Sequence, residues 1–419
     1  MNCFNARVTD YSPPLRSLAE GHWFKLICGA SFQCLPDVRN LALVFALAGA
    51  DCIDIAADPA VVSAARDGIS AARHWLAAHP ALNNGHGVRM QPGSPWLMVS
   101  LNDGEDPHFR KAEFDPQGCL ADCHRPCESI CPADAIAFTD LAPTATPHLS
   151  DLASPQMSGV LDDRCYGCGR CLPVCPIHHI HTRSYVSSPV AIAPLILPDV
   201  DAIEIHTQVG RLADFERLWG AIAPHKNRLK ALAISCPDGE ELLEYLWAIH
   251  QLITPMPCPV IWQTDGRAMS GDIGKGATHA TIRLGQKVLH GGPPGYVQLA
   301  GGTNAYTVPK LRELGLLRPL APSGSQGETL SNFPRTIHGV AYGSYARTLL
   351  SPILQTLATQ PPNPIHLGEQ SLQPSEASQA LEAFPALLHS ALQQAIELIS
   401  PLKLNESDLT PAIASTNQP

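Results

Sequence analysis

The chain has 419 residues and a formal net charge of −10, with 28 lysines and arginines against 38 aspartates and glutamates. That balance excludes an electrostatically driven nucleic-acid protein, which needs surplus basic side chains to neutralise phosphate. Hydrophobic residues make up 45% and charged residues only 16%, so a large core is affordable and general disorder is excluded, despite 39 prolines and 31 glycines.

From the N-terminus, Arg7, Asp10, Arg16 and the Pro13-Pro14 break leave no apolar run of signal-peptide length, and a cytoplasmic protein is expected. The longest apolar stretch, Leu41 to Ala50, is about half of what a transmembrane helix needs. Lys25 to Ser31 reads as a first strand. Pro36 then opens a helix with Val38, Leu41, Ala42 and Phe45 at helical spacing, closed by Gly49. Cys52 to Ala57 is the second strand, followed by a helix with Asp58 as N-cap and Pro59 at its first position. Trp96 to Leu101 is the third. Strands resume at Ala202 to His206, Leu229 to Ser235, Pro259 to Thr264, Tyr296 to Ala300 and Thr336 to Ala341, with helices at Arg211 to Ile222, Asp238 to Ile253, Gly276 to Leu289 and Val308 to Leu314 between them.

Eight near-continuously apolar strands alternating with helices fit an α/β fold with a parallel sheet, and a (β/α)8 barrel is favoured over a doubly wound sheet. Two features favour closure. Gly301-Gly302-Thr303-Asn304 follows the seventh strand and Gly343-Ser344 the eighth, where barrels place phosphate; the latter leads into a short helix broken at Pro352. Gly301, Gly302, Thr303, Gly343 and Ser344 are thus candidates to bind FMN or another phosphate-bearing ligand, although tight turns alone would also need such glycines. Further polar residues at strand ends are Asp54, Asp58, Asn102, Asp103, Glu204, His206, Gln263 and Asp265, with no acid–base pair or nucleophile triad singled out. Gly271 to Gly276 is rejected as an ATP loop, because Met269 and Gly276 stand where a Walker glycine and its Ser or Thr belong. Pro319 to Pro334 reads as a loop, Gln360 to Gln373 as a linker, Glu376 to Leu402 as an amphipathic helix, and the last dozen residues as disordered.

Between the third and fourth strands lie eight of the fourteen cysteines. Cys165, Cys168, Cys171 and Cys175, then Pro176, are separated by two, two and three residues. Cys119, Cys123, Cys127 and Cys131, then Pro132, have gaps of three throughout. Three cysteines within seven residues crowd a single tetrahedral zinc but suit the corners of an iron–sulfur cubane, whose sulfides Gly167 and Gly169 let the backbone approach. All eight are candidate metal ligands. Each run continues alike: the isoleucines Ile136 and Ile180 both fall five residues past the Cys of a Cys-Pro pair. The remaining cysteines are scattered and read as small core residues, and His124, His178, His179 and His181 as exposed neighbours.

The second run and this internal repeat resemble the dicluster module of bacterial ferredoxins. That resemblance implies two 4Fe–4S clusters and crossed ligation: Cys165, Cys168, Cys171 and Cys131 at one, Cys119, Cys123, Cys127 and Cys175 at the other; where the stretched first run departs from the pattern, a 3Fe–4S form is the alternative. The expected organisation is an N-terminal extension (1–21), a first barrel part (22–110), the ferredoxin-like module (111–190), a second barrel part (191–358), and a linker, helix and tail (359–419).

His22 to Ser31, Ala48 to Asp54, Arg125-Pro126-Cys127-Glu128, Gln263 to Arg267 and Leu299 to Asn304 together resemble the light-dependent period protein (LdpA) family of cyanobacteria. The resemblance spans most of residues 20–355. It implies an iron–sulfur protein that reports cellular redox state to the circadian clock, with clock-associated proteins as partners and an electron donor or quinone-linked signal as input. It points to a sensor rather than a metabolic enzyme. The alternative is an iron–sulfur flavin oxidoreductase, with the clusters feeding a cofactor at the barrel mouth.

Overall fold

A computed structural model describes residues 11–80, 90–91, 93, 95–104, 110–138, 159–184, 197–267, 274, 276–319, 335–360 and 380–404. Eight parallel strands close into a barrel: β1 (Trp23–Ile27), β2 (Cys52–Ala56), β3 (Trp96–Asn102), β8 (Ala202–His206), β9 (Ala231–Pro237), β10 (Val260–Asp265), β11 (Tyr296–Ala300) and β12 (Gly339–Tyr342). Around the ring each pairs with its sequence neighbour, β3 pairs with β8 from Met98↔Ala202 to Asn102↔His206, and β12 closes onto β1 from Trp23↔Gly339. Four short strands in the segment between β3 and β8, named β4 to β7, belong to a separate structure taken up below.

Helices alternate with the barrel strands: α1 (Pro13–Glu20), α2 (Leu35–Ala48), α3 (Pro59–Ala78), then, after two one-turn helices α4 (Pro126–Ser129) and α5 (Cys171–Val174) in that segment, α6 (Leu212–Ile222), α7 (Leu242–Ile253), α8 (Ala277–Gly291), α9 (Thr307–Glu313), α10 (Ser344–Ala358) and α11 (Pro385–Lys403). Among the described residues no helix is long and apolar enough to cross a membrane.

Strand alternation divides the core. Outward residues such as Phe24, Leu26, Ile53, Ile55, Leu97 and Val99 join the buried faces of the helices. Inward residues at the strand starts, Trp23, Cys52, Trp96, Ala202, Ala231 and Ile261, form an apolar plug capped by Leu18 of α1. Trp23 meets Trp96 edge-on at 5.7 Å. Two residues further along, the inward positions turn polar, at Lys25, Asp54, Glu204, Gln263 and Gln298, all at most 2% exposed.

Three expectations are corrected. The first strand is Trp23–Ile27 and not Lys25 to Ser31: pairing with β12 begins at Trp23, and beyond Ile27 the chain turns away through Gly29 at φ 128, although Cys28, Gly29 and Ala30 prolong the apolar pattern. The helix after Gly343 is not broken at Pro352; α10 runs through it to Ala358, because buried Leu350, Ile353, Leu354 and Leu357 hold its inner face and outweigh one lost hydrogen bond. The C-terminal helix begins at Pro385, since a proline disfavours helical geometry at the residue before it, and Phe384 sits at φ −122 and ψ 82. Residues 376–379 of that expected helix, the loop at 320–334, the linker at 361–373 and the tail lie outside the described residues. Helix α11 packs on α2 and α10, with Lys403 reaching Asp51 and, at 2.7 Å, the Ser17 hydroxyl.

Two histidines, buried His22 and half-buried His338, set an acid limit on this fold. Burial holds His22 and His338 down to about 4. His338 Nδ1 accepts the Val297 amide at 3.1 Å and must be neutral to do so. The unfolded chain takes up these protons near pH 6.5, so it binds more protons than the native state below that value, and stability falls as pH drops from about 6.5 to about 4. The unfolding free energy from urea titration should fall between pH 7 and pH 5, by on the order of a few kcal/mol in total, with the midpoint falling accordingly, and His338→Gln should flatten the drop. A midpoint independent of pH over that interval would contradict the assignment.

Candidate metal centre

The segment between β3 and β8 is built as two interlocked halves. The first half runs from β4 (Arg110–Glu113) through the first cysteine run to β5 (Ile136–Ala137); the second from β6 (Gly159–Val160) through the second run to β7 (His181–Ser184). The strands exchange between halves: β4 pairs antiparallel with β7, from Arg110↔Ser184 to Glu113↔His181, and β5 with β6. The repeat extends to the backbone. Asp134 and His178, each three residues past the last cysteine of its run, both have positive φ (45 and 50). One residue further on, the amides of Ala135 and His179 each donate to that cysteine's sulfur, Cys131 and Cys175, at 3.2 Å. Ile136 and Ile180 are both buried in the apolar core that the halves share.

This interlock carries the fourth cysteine of each run across to the other. Cys131, Cys165, Cys168 and Cys171 line one cavity, with Tyr166 and Ala112 among its other walls. Cys175 stands with Cys119, which in turn neighbours Cys123 and Cys127. Among the described residues no three His, Cys, Asp or Glu side chains converge closely enough to share one metal ion. Four thiols around a cavity instead match a group of several atoms.

Amides prepare the sulfurs for negative charge. Ala112 donates to Cys165 at 3.4 Å, and the backbone at Gly167, held at φ 71, donates to it as well. Burial pushes the thiols of Cys165 and Cys168 up, and that of Cys171 to about 12. At Cys175 burial also acts upward, but the amides of His179, Ile177, Ile180 and His178 outweigh it and leave the thiol below its ordinary value. An iron cation replaces the protons that burial otherwise keeps on these thiols, so binding should release protons and tighten with pH. Cys127, Cys165, Cys171 and Cys175 are buried, while Cys119, Cys123, Cys131 and Cys168 are partly open.

The centre sits against the barrel mouth. Lys111 donates to Gln33 Oε1 at 2.8 Å, the Gln33 amide to Asp163 O at 3.0 Å, and from α10 Ser351 and Gln355 donate to Pro132 O and Asp134 at 3.3 and 2.6 Å. The proposed phosphate residues are brought together at the same mouth, on adjacent strands. The Thr303 hydroxyl donates to Ala341 O at 2.6 Å, linking the two turns. Gly301 and Gly302 have φ 61 and 89, and a Cβ on Gly301 would lie 2.9 Å from the Arg267 backbone, so close packing already requires glycine there. Gly343 caps α10, and the Ser344 hydroxyl accepts from Arg347 at 3.1 Å.

Of the strand-end residues, Asp58 is an N-cap, its carboxylate accepting the Ala60 amide at 2.8 Å, and the Asp103 carboxylate accepts from Thr207. Asp54, Glu204, His206 and Gln263 meet inside the barrel around Lys25, which the sequence reading passed over. Lys25 Nζ contacts Asp54 at 3.1 Å and Glu204; Glu204 Oε1 also accepts from Gln263 at 2.6 Å and faces His206 Nε2 at 2.7 Å. Ser100 donates to Asp54 at 2.8 Å, and Ser235 to Asp265 at 2.6 Å. A lysine in mid-strand, in register with Trp23 two residues before it, is the signal that could have placed it inside.

The geometry defines a (β/α)8 barrel carrying a cysteine-rich centre between its third and fourth strands. Residues 119–186 match the family profile described as the LdpA Fe-S cluster-binding domain, and residues 195–401 the light dependent period A C-terminal domain. A curated relative, "Light dependent period A" of Synechococcus elongatus, is 47% identical over 391 residues, 93% of this chain and 94% of the relative. The chain belongs to the LdpA family, and its cysteine-rich segment is that family's iron–sulfur cluster-binding domain.

Proposed function

We propose that the protein is a redox sensor with two iron–sulfur clusters in a ferredoxin-like module, supplying a light-dependent input to the circadian clock. The observation that carries this is the exchange of the fourth cysteine: Cys131 lines the cavity of the second run, and Cys175 stands with the first. The residues fit such clusters, which when bound supply one-electron oxidation and reduction. Cys119, Cys123, Cys127 and Cys175 would hold one, and Cys131, Cys165, Cys168 and Cys171 the other. The relative's name ties it to a light-dependent period, and a module whose charge follows electron supply is a means of making timing depend on light. Leu120 beside Cys119 and Ile177 near Cys175 are exposed apolar side chains, where an electron-donating partner can dock.

Protein purified without oxygen should contain iron and acid-labile sulfide, with zinc near zero and no stoichiometric FMN. Stoichiometric zinc without sulfide would overturn the reading, and stoichiometric FMN would move it to a flavin oxidoreductase at the barrel mouth.

Graded oxidation should attack the first-run cluster before the second. Exposure does not separate the two, since each site has two buried and two partly open thiols; the order rests on the longer first-run loop, whose three-residue gaps between Cys119, Cys123 and Cys127 constrain each ligand less. A three-iron signal arising first from the second run, in protein titrated with ferricyanide, would refute this order.

A further inference from the structure

One wall of the second-run cavity comes from within the run itself and presses on the barrel. Tyr166, between Cys165 and Gly167, lines the cavity and is 4% exposed. Phe32, from the loop after β1, meets its ring edge-on at 5.8 Å. The guanidinium carbon of Arg347 lies 3.9 Å from the centre of the same ring. Arg347 is in the first turn of α10 and is itself 6% exposed. Its Nη1 donates to Ile27 O at 2.7 Å, at the end of β1, and its Nη2 to the Ser344 hydroxyl at 3.1 Å. Gly29 packs beside these side chains: a Cβ there would come to 3.1 Å from Phe32 Cβ, with Tyr166 Cβ and Arg347 Nη1 at ordinary contact distances of 3.4 and 3.5 Å. A buried cation is therefore clamped to the barrel on two sides and stacked, one ring's thickness away, on the wall of the cavity.

We infer that Arg347 is a positioning residue for the cluster of the second run: it fixes the Cys165–Cys168 loop through Tyr166, and its charge raises that cluster's reduction potential. This rests on the iron–sulfur reading above. Reduction brings one electron from a one-electron donor and makes or breaks no bond, so the cluster becomes more negative by one charge. A fixed cation in a poorly screened interior favours that state. The other charges near these thiols, Lys111 at Cys165 and Arg170 at Cys168, with Asp162 and Asp163 opposing Lys111, all lie on the module itself. Arg347 differs in being anchored to β1 and α10. Coupling of this kind is reciprocal: if Arg347 favours the reduced cluster, reduction strengthens the hold of the module on the barrel. The barrel thereby registers the electron count of the second-run cluster at the first turn of α10.

The test uses the full chain, reconstituted anaerobically with iron and sulfide, and a dithionite titration followed by electron paramagnetic resonance. In Arg347→Gln the reduced-to-oxidised ratio of the second-run cluster at the wild-type midpoint should fall about tenfold, a shift of about 59 mV for one electron, while the first-run cluster stays at its wild-type potential. Arg347→Lys, which keeps the charge but loses the planar stack, should recover most of the ratio. Hydrogen exchange at residues 344–348 should slow on reduction in wild type and not in Arg347→Gln. An unchanged second-run potential in Arg347→Gln, or an equal shift of both clusters, overturns the inference while leaving the clusters established. If Arg347→Gln does not load, Tyr166→Leu decides: its second-run cluster must shift alone, and no shift overturns the inference. Wild-type protein that takes up no iron or sulfide overturns the iron–sulfur reading itself, and this inference with it.

Discussion

Replacing Cys131 with Ser should damage the cluster of Cys165, Cys168 and Cys171 and spare the one nearest to Cys131 in sequence. If each run served its own cluster, Cys131→Ser would act on the first, since Cys119, Cys123 and Cys127 lie within twelve residues before it. The structure puts Cys131 in the wall of the second-run cavity instead, and its charge acts on Cys165, Cys168 and Cys171. Cys175→Ser should do the converse, because Cys175 acts on Cys119. Each variant should lose up to about half of the bound iron, from one cluster only, as expected when one of four thiolates at a single cubane is removed. Resonance spectra of the two reduced variants separate the cases. A Cys131→Ser protein with an unchanged second-run signal and a lost first-run signal would establish self-contained loops and refute crossed ligation.

The centre was largely legible because its chemistry is written at fixed short spacings. Cysteines separated by two or three residues, a proline after each run and an isoleucine five residues past each last cysteine are local facts. The pairing of β4 with β7 and β5 with β6 was not legible: strands of two to four residues are too short to show a period, and their partners are sequence-distant. The stack of Phe32, Tyr166 and Arg347 was hidden for the same reason. It joins three segments whose individual residues look ordinary, a loop phenylalanine, a tyrosine between cysteines and an arginine in a helix.

The barrel shows where pattern succeeds and where packing takes over. Ala202–His206 and Tyr296–Ala300 have the bounds their apolar runs suggest, because turn-forming residues flank both. At β1 the apolar pattern continues past the strand into residues that pack against the module, so hydrophobicity marked burial and not hydrogen bonding. At Pro352 a local breaker yielded to an apolar helix face already committed to the core. Most of the polar interior was legible as strand-end residues, Asp54, Glu204, His206 and Gln263, but their convergence on Lys25 was not, since together with Lys25 they come from four different strands and a mid-strand lysine reads as solvent-facing.

That interior yields the other large expected effect. Lys25→Met should destabilise the protein by about 3–5 kcal/mol at pH 7, the usual consequence of removing one partner from a buried ion pair. Lys25 is fully buried and is the cation between Asp54 and Glu204, both also buried. Burial alone would lower the Lys25 pKa, yet the two carboxylates outweigh it and raise it, so the ammonium is firmly charged. At Glu204 burial acts upward, but Lys25 and His206 outweigh it and hold the carboxyl below its ordinary range. At Asp54 burial wins, and its pKa is raised. Methionine would fill the volume while leaving two carboxylates facing each other in the barrel without their cation. Both would then have folded-state pKa values above those of the unfolded chain, and their penalty is full above the raised values and shrinks as pH falls through them. The deficit of Lys25→Met relative to wild type should therefore be smaller at pH 5.5 than at pH 7. The acid sensitivity of His22 and His338 is common to both proteins and cancels in the difference. Adding Glu204→Gln to Lys25→Met should recover part of the loss, since residues in one network couple strongly. Urea unfolding of the three proteins at both pH values measures each term, and a Lys25→Met deficit under about 1 kcal/mol at pH 7 would show that water or rearrangement already satisfies the carboxylates.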